Sequence, residues 1–160
     1  MKKYLLILSV LALGFASCSK DNTTPAAVDP AVQAKIDDDA IQAYLVAHPE
    51  ITATKDASGL YYQIQTEGTG NLITSDNMVT VDYVGTTLKG TQFDASTSYT
   101  TGLSDRYNII TGWKVGLLKA KKGSKILLIL PSALAYGQFG NGPIAPNTVI
   151  MFTITVKDVK

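Results

Sequence analysis

The hydrophobic positions in the first part of the chain recur with the spacing of a helix. Between Pro30 and Ala47, the apolar residues at this spacing are Val32, Ile36, Ile41, Tyr44 and Leu45. Asp29 supplies an N-cap before a proline at the first helical position, and Pro49 pushes His48 out of the helical region. The pattern therefore predicts a helix from Pro30 to Ala47.

Further along, the period changes from helical to two, which is typical of strands with one solvated face. The segments that alternate or run continuously apolar are residues 60–65, 78–84, 126–130 and 149–159. One short helical pattern lies between them, with Trp113 and Leu117 four residues apart and Gly123 after its basic C-terminal end. One helix against one antiparallel sheet predicts an α+β domain.

Two polar stretches divide the chain. Residues 18–29 are small and polar, so we expect a flexible tether that cannot bury enough apolar area to fold. A second polar linker at residues 54–58 ends a helical segment, residues 30–58, and precedes one domain, residues 59–160. The acidic run Asp37–Asp39 lacks the alternating ligands and central glycine of a calcium loop, and it predicts a solvated helix face.

The composition is that of one ordinary domain without the charge excess of a protein that binds a highly charged partner. The 160 residues are 46% hydrophobic and 17% charged, and the formal net charge is +1. This balance gives no basis for binding nucleic acid or an anionic membrane surface. The lone histidine, His48, stands beside a proline at a helix end, so a Ser-His-Asp site is not expected. We predict neither a metal site nor a cofactor.

The first residues have the layout of a secretory signal peptide. Two lysines precede an apolar stretch over residues 4–15 that is too short to span a bilayer, and two small residues lead to Cys18. This arrangement resembles the lipobox of bacterial lipoproteins, with Phe15 where leucine is usual. We expect cleavage after residue 17 and a lipid anchor on Cys18 in the cell envelope, in the periplasm or at the outer membrane. The alternative is a cleaved signal with an incidental cysteine.

A series of short motifs follows in the second half of the chain. They are Val81-Asp82-Tyr83-Val84-Gly85, Phe93-Asp94-Ala95-Ser96, Ile110-Thr111-Gly112-Trp113, Gly116-Leu117, Lys122-Gly123, Leu130-Pro131, Ala135-Tyr136-Gly137, Ile144-Ala145-Pro146-Asn147 and Phe152. In order and spacing they resemble the FKBP-type peptidyl-prolyl cis-trans isomerases, over residues 59–160. The resemblance implies a five- or six-stranded antiparallel sheet wrapped around a short helix, with a proline-binding cleft between them.

The resemblance also implies roles for individual side chains. Trp113 forms the floor beneath a prolyl ring, Tyr136 points its hydroxyl at a substrate carbonyl, and the backbone N–H of Ile110 meets another carbonyl. The residues implied in catalysis are Tyr83, Phe93, Asp94, Trp113, Tyr136 and Phe152. Those implied in substrate binding are Leu103, Ile109, Ile110 and Ile144.

The chain departs from the family pattern at one wall of this cleft. The segment between residues 95 and 111 is a few residues short and lacks a phenylalanine that family members usually carry. Tyr99, Leu103 and Tyr107 are the residues that remain to form that wall. Ala120 stands where a methionine is common after the helix, which predicts a different packing behind the tryptophan.

Two functions remain as hypotheses at this point. The first is a lipid-anchored isomerase of X-Pro bonds that assists the folding of exported proteins, with macrolide inhibitors as further ligands implied by the family. The second is a peptide-binding chaperone or adaptor with the same fold and little turnover. The helix from Pro30 to Ala47 could form a homodimer contact or pack on its own domain, and the sequence leaves both open.

Overall fold

Six strands form one antiparallel sheet in this chain, of which the computed structural model describes residues 28–160. The strands are β1 (Thr54–Lys55), β2 (Tyr61–Thr66), β3 (Met78–Thr87), β4 (Gln92–Gly102), β5 (Lys125–Leu130) and β6 (Ile150–Val159), in the spatial order β1-β2-β5-β6-β3-β4. The helices are α1 (Pro30–Ala47) and α2 (Thr111–Leu117), and short 3-10 turns cover Ser132–Leu134 and Gly137–Phe139. The predicted signal peptide and Cys18 lie outside the described residues.

The predicted α+β fold with an N-terminal helix is confirmed. Helix α1 has the predicted bounds, and the Asp29 carboxylate accepts from the backbone N–H of Ala31 at 2.8 Å. Strand β4 was not visible as a periodic pattern because it is an edge strand whose residues are mostly exposed. Strand β1 lies inside the predicted linker, and α2 ends at Leu117, ahead of the lysines that were expected to close it.

Strand β5 contributes apolar side chains to both faces of the sheet. Ile126, Leu128 and Leu130 join the core beneath α2, whereas Leu127 and Ile129 join a second cluster on the opposite face. The whole run is therefore apolar, because both sides of the strand are covered. The second cluster contains Ile41 of α1 together with Tyr61, Val149 and Met151, and Tyr44 and Leu45 pack against it.

Helix α1 therefore packs on its own domain, on the face of the sheet opposite α2. Ile41 is fully buried there, but Val32 and Ile36 are 54% and 51% exposed. These two residues lie on the opposite side of the helix from Ile41. They belong to the apolar pattern in the sequence, but the domain does not bury them. Neither helix of the described residues has the length and hydropathy of a membrane span.

The prediction that Asp37–Asp39 form a solvated face is wrong for Asp37, which is 2% exposed. Asp37 lies four residues before Ile41 on the buried side of α1. Asp38 is intermediate in exposure and accepts hydrogen bonds from the Tyr61 hydroxyl and the Lys55 ammonium, and the bond from Lys55 lowers the pKa of Asp38. Only Asp39 points to solvent, where it pairs with Lys35.

The docking of α1 gives a stability prediction with a matched control. Ile41→Ala is expected to lower the free energy of unfolding by about 2–5 kcal/mol, because it removes a fully buried side chain. Leu72→Ala makes a similar truncation at a residue outside α1 that is 54% exposed, and it is expected to alter this free energy by no more than about 0.5 kcal/mol. Urea unfolding followed by circular dichroism measures both variants. Equal effects would contradict the observed docking.

Candidate active site

A cavity of about 560 Å³ opens between α2 and the face of the sheet that α2 covers. Its floor and walls come from strands β3, β4 and β6, the start of α2 and the segment after β5. The lining residues are Tyr83, Asp94, Tyr99, Asn108, Ile109, Ile110, Thr111, Trp113, Ala135, Tyr136, Asn141 and Phe152.

The indole of Trp113 lies in the middle of the aromatic residues that line this cavity. Three rings stand at steep angles to it, with centroid distances of 5.0 Å to Tyr83, 5.3 Å to Phe152 and 6.2 Å to Tyr99. Edge-to-face contacts of this kind are favourable for aromatic pairs. Trp113 is only 4% exposed, and the small part of it that is not covered lines the cavity.

The indole nitrogen itself contributes no hydrogen bond within the described part of the chain. Its N–H is buried and meets no acceptor there. An unpaired buried donor costs about 1–3 kcal/mol, so a phenylalanine or leucine would avoid this cost. We infer that the position favours the broad flat surface of the indole over its hydrogen-bonding capacity.

Two glycines make room for this arrangement. A Cβ atom on Gly85 would lie 2.7 Å from ring carbons of both Phe93 and Phe152. On α2, a Cβ atom on Gly112 would overlap the side chain of Leu130. Gly85 therefore lets β3 lie against the rings of Phe93 and Phe152, and Gly112 lets α2 lie against Leu130 of β5.

Helix α2 starts at the cavity without a side-chain cap. Ile110 is its N-cap in an extended conformation, and the Ile110 carbonyl accepts from the backbone N–H of Trp113 at 3.0 Å. The backbone N–H of Ile110 donates to no backbone carbonyl within residues 28–160. The start of the helix thus presents a main-chain donor beside the indole.

The cavity has a polar edge on the side of β3 and β4. The Tyr83 hydroxyl donates to a carboxylate oxygen of Asp94 at 2.7 Å. Burial raises the pKa of Tyr83, and the hydrogen bond to Asp94 raises it further. The hydroxyl therefore stays protonated at neutral pH and keeps the Asp94 carboxylate at the rim of the cavity.

The structure brings together seven of the ten residues that the family resemblance implied. Those that line the cavity are Tyr83, Asp94, Ile109, Ile110, Trp113, Tyr136 and Phe152. Phe93 lies behind the wall, with its ring centroid 5.5 Å from that of Phe152. Leu103 and Ile144 are buried in the core cluster and do not reach the cavity surface.

Tyr99 takes the wall position that the sequence left open between three residues. A bulge in β4 sets Thr97 and Ser98 against Asp82 alone, so that Tyr99 comes opposite Val81, which is buried in the core beneath α2. Ser98 has a positive φ of 58°, and its N–H donates to the Asp82 carboxylate. Without the bulge, Ser98 would face the cavity layer in place of Tyr99.

The other lining residues that sequence reasoning missed are Asn108, Thr111, Ala135 and Asn141. They are small or polar and sit in loops or at the first position of α2, so no apolar period marks them. Two of them flank residues that were predicted: Thr111 follows Ile110, and Ala135 precedes Tyr136. Among the described residues, no group of three or more His, Cys, Asp or Glu side chains is placed to hold a metal ion.

Comparison with known proteins identifies the family. Residues 70–157 match the profile of the FKBP-type peptidyl-prolyl cis-trans isomerases. The chain belongs to this family. Similar FKBP-type isomerases include FkpA of Escherichia coli strain K12, which is 42% identical over 107 residues, covering 65% of this chain and 39% of that protein. FkpA of Aeromonas hydrophila is 36% identical over 137 residues, covering 81% of this chain and 51% of the relative. The chain thus spans about half of the length of these FKBP-type relatives or less.

Solved structures of the family share the fold. The crystal structure of Escherichia coli FkpA matches with a TM-score of 0.68 and 33% identity, over 81% of this chain and 63% of that one. A peptidyl-prolyl cis-trans isomerase from Pseudomonas syringae pv. tomato matches with a TM-score of 0.67 and 30% identity, over 79% of this chain and 95% of that one. The FKBP-like fold expected from the sequence is therefore confirmed.

Proposed function

We propose that this chain catalyses cis-trans isomerisation of X-Pro bonds in polypeptides. The observation that carries the proposal is the open aromatic cavity with Trp113 at its floor, in a chain of the FKBP family. A prolyl ring is compact and apolar and fits an indole surface bounded by other aromatic rings.

The cavity can lower the rotational barrier without covalent chemistry. An X-Pro bond resists rotation because twisting breaks the amide resonance, and the barrier for a peptide bond is about 18–20 kcal/mol. The planar amide is more polar than the twisted amide, so an apolar cavity destabilises the planar form more. Walls that fit the twisted form bind the transition state better than the ground state, which is the condition for catalysis.

Polar groups around the cavity would hold the substrate during rotation. The backbone N–H of Ile110 and the hydroxyl of Tyr136 are proposed to bind carbonyls on the two sides of the prolyl ring. Asp94, held by Tyr83, forms the polar rim. Macrolide inhibitors are proposed as further ligands of the same cavity, because they would compete for the same apolar surface.

A second function, peptide binding with little turnover, is favoured by one feature of the rim. Phe139 is 84% exposed in the turn between Tyr136 and Asn141, both of which line the cavity. An exposed aromatic ring beside the cavity can hold an unfolded segment without any effect on bond rotation. The chain would then act as a chaperone or adaptor.

A protease-coupled isomerisation assay separates the two functions. The isomerase proposal predicts a rate of cis-trans exchange well above the spontaneous one, and a rate equal to it leaves only the binding role. Tyr136→Phe is expected to lower kcat/KM about 2- to 10-fold, because one hydrogen bond contributes about 0.5–1.5 kcal/mol. Tyr107→Phe, which changes a half-buried tyrosine outside the cavity, serves as the control and is expected to have no effect.

We propose further that the chain is held in the cell envelope by a lipid on Cys18 and assists the folding of exported proteins. The support is the signal-like layout of residues 1–17 and the polar stretch that follows Cys18. Two acyl chains suffice for stable anchoring, since each buried methylene contributes about 0.8 kcal/mol. Cys18→Ala is expected to move the protein from the membrane fraction to the soluble fraction. Retention of this variant in the membrane fraction would remove the anchor from the proposal.

A homodimer through α1 is proposed because one side of this helix has no cover in the described chain. The apolar side chains exposed there include Val32, Ile36 and Val46. Light scattering on the Cys18→Ala variant is expected to give twice the mass that mass spectrometry finds for one chain in the same sample. Ile36→Asp is expected to give monomers, whereas Leu72→Asp, at an equally exposed apolar residue elsewhere, is not. A monomeric mass for the parent protein would contradict the dimer.

A further inference from the structure

The buried carboxylate of Asp37 is a feature that the proposed function does not use. One of its oxygens accepts from the side-chain amide of Gln33 at 2.7 Å. The other accepts from both the backbone N–H and the hydroxyl of Ser132, at 2.8 and 2.7 Å. Burial of a carboxylate costs several kcal/mol unless donors compensate for it. An apolar residue at this position would avoid that cost. The carboxylate instead fixes Ser132 relative to α1 through two hydrogen bonds.

Ser132 begins the segment that leads into the cavity. It is buried and follows Pro131 at the end of β5. The backbone N–H of Leu134 donates to the Pro131 carbonyl at 2.9 Å, and that of Ala135 donates to the Ser132 carbonyl at 3.0 Å. These bonds make residues 131–135 one tight turn. Its last residue, Ala135, and the next residue, Tyr136, line the cavity.

The same segment is also held from the cavity side. Gly112 of α2 lies so close to it that an added Cβ atom would be 3.2 Å from the Leu134 carbonyl oxygen. Helix α1 therefore holds the turn from one face of the sheet and α2 contacts it from the other. The hydrogen-bonded turn therefore connects Ser132, which binds Asp37, to Tyr136 in the cavity.

We propose that Asp37 is a positioning residue of the cavity, which acts through Ser132 to hold residues 132–136 where the Tyr136 side chain lines the site. Helix α1 is then part of the site's support as well as a cover for the back of the sheet. The catalytic consequence of this inference rests on the proposed isomerase function, whereas its structural consequence does not.

The test compares Asp37→Ala with Asp39→Ala in the full chain, purified in mild detergent. Asp39 lies two residues further along α1 and is solvated, so it controls for loss of a carboxylate on this helix. Asp37→Ala is expected to lower kcat/KM about 3- to 10-fold, as loss of a correctly placed hydrogen bond does, and to shift the NMR signals of the Tyr136 ring. Asp39→Ala is expected to change neither. Asp37→Asn is expected to recover most of the loss, because its amide oxygen still accepts from Ser132.

A double-mutant cycle separates positioning from general stability. In a Tyr136→Phe background, Asp37→Ala is expected to change kcat/KM by less than about 2-fold, because the hydroxyl that it positions is already gone. An equal loss in both backgrounds would overturn the proposal. The proposal would also be overturned if Asp37→Ala unfolds at a lower urea concentration than the parent but, while folded, keeps the parent kcat/KM and the parent Tyr136 signals.

The positioning role can still be tested if Asp37→Ala does not fold or if the parent protein shows no isomerisation. If Asp37→Ala does not fold, Ser132→Ala removes only one donor to the carboxylate and is expected to shift the Tyr136 ring signals in the same direction. If the parent protein shows no isomerisation, the proposed function fails, but the ring signals of Tyr136 still test the positioning role. Unchanged ring signals in Ser132→Ala, and in Asp37→Ala where that variant folds, would then overturn it.

Discussion

The edge-to-face packing around Trp113 is the interaction on which the site depends. Tyr83, Tyr99 and Phe152 come from three different strands, and each presents a ring to the indole at a steep angle. These rings hold the indole from several sides, and the same four side chains line the cavity. The two glycines that give these rings and α2 their space, Gly85 and Gly112, are as necessary to the cavity as the aromatic residues are.

Helices α1 and α2 cover opposite faces of the sheet, and strand β5 packs against both. Strand β5 contributes alternate residues to the core under α2 and to the cluster under α1. Its end is also where the carboxylate of Asp37 meets Ser132, four residues before Tyr136. The N-terminal helix and the aromatic cavity, which lie on opposite faces, therefore meet at one turn.

Local signals made part of this structure predictable from the sequence. The bounds of α1 followed from Asp29, Pro30 and the His48-Pro49 pair, since capping and proline geometry act within a few residues. Other features depend on contacts between distant residues. The bulge that turns Tyr99 inward is fixed by pairing with β3, and the burial of Asp37 is fixed by its contact with Ser132. Leu103 and Ile144 were carried over from the family resemblance, which gives their order along the chain but not their depth in this core.

In the proposed function, a prolyl ring of the substrate rests on the indole of Trp113. Trp113 is the only tryptophan in the chain, so its fluorescence reports on the cavity floor alone. A titration with an unstructured Ala-Leu-Pro-Phe peptide is predicted to change the emission in a saturable way, and the matched Ala-Leu-Ala-Phe peptide is predicted to leave it unchanged. Equal responses to the two peptides, or no response to the proline peptide at concentrations where it binds the protein, would show that the prolyl ring does not rest on Trp113.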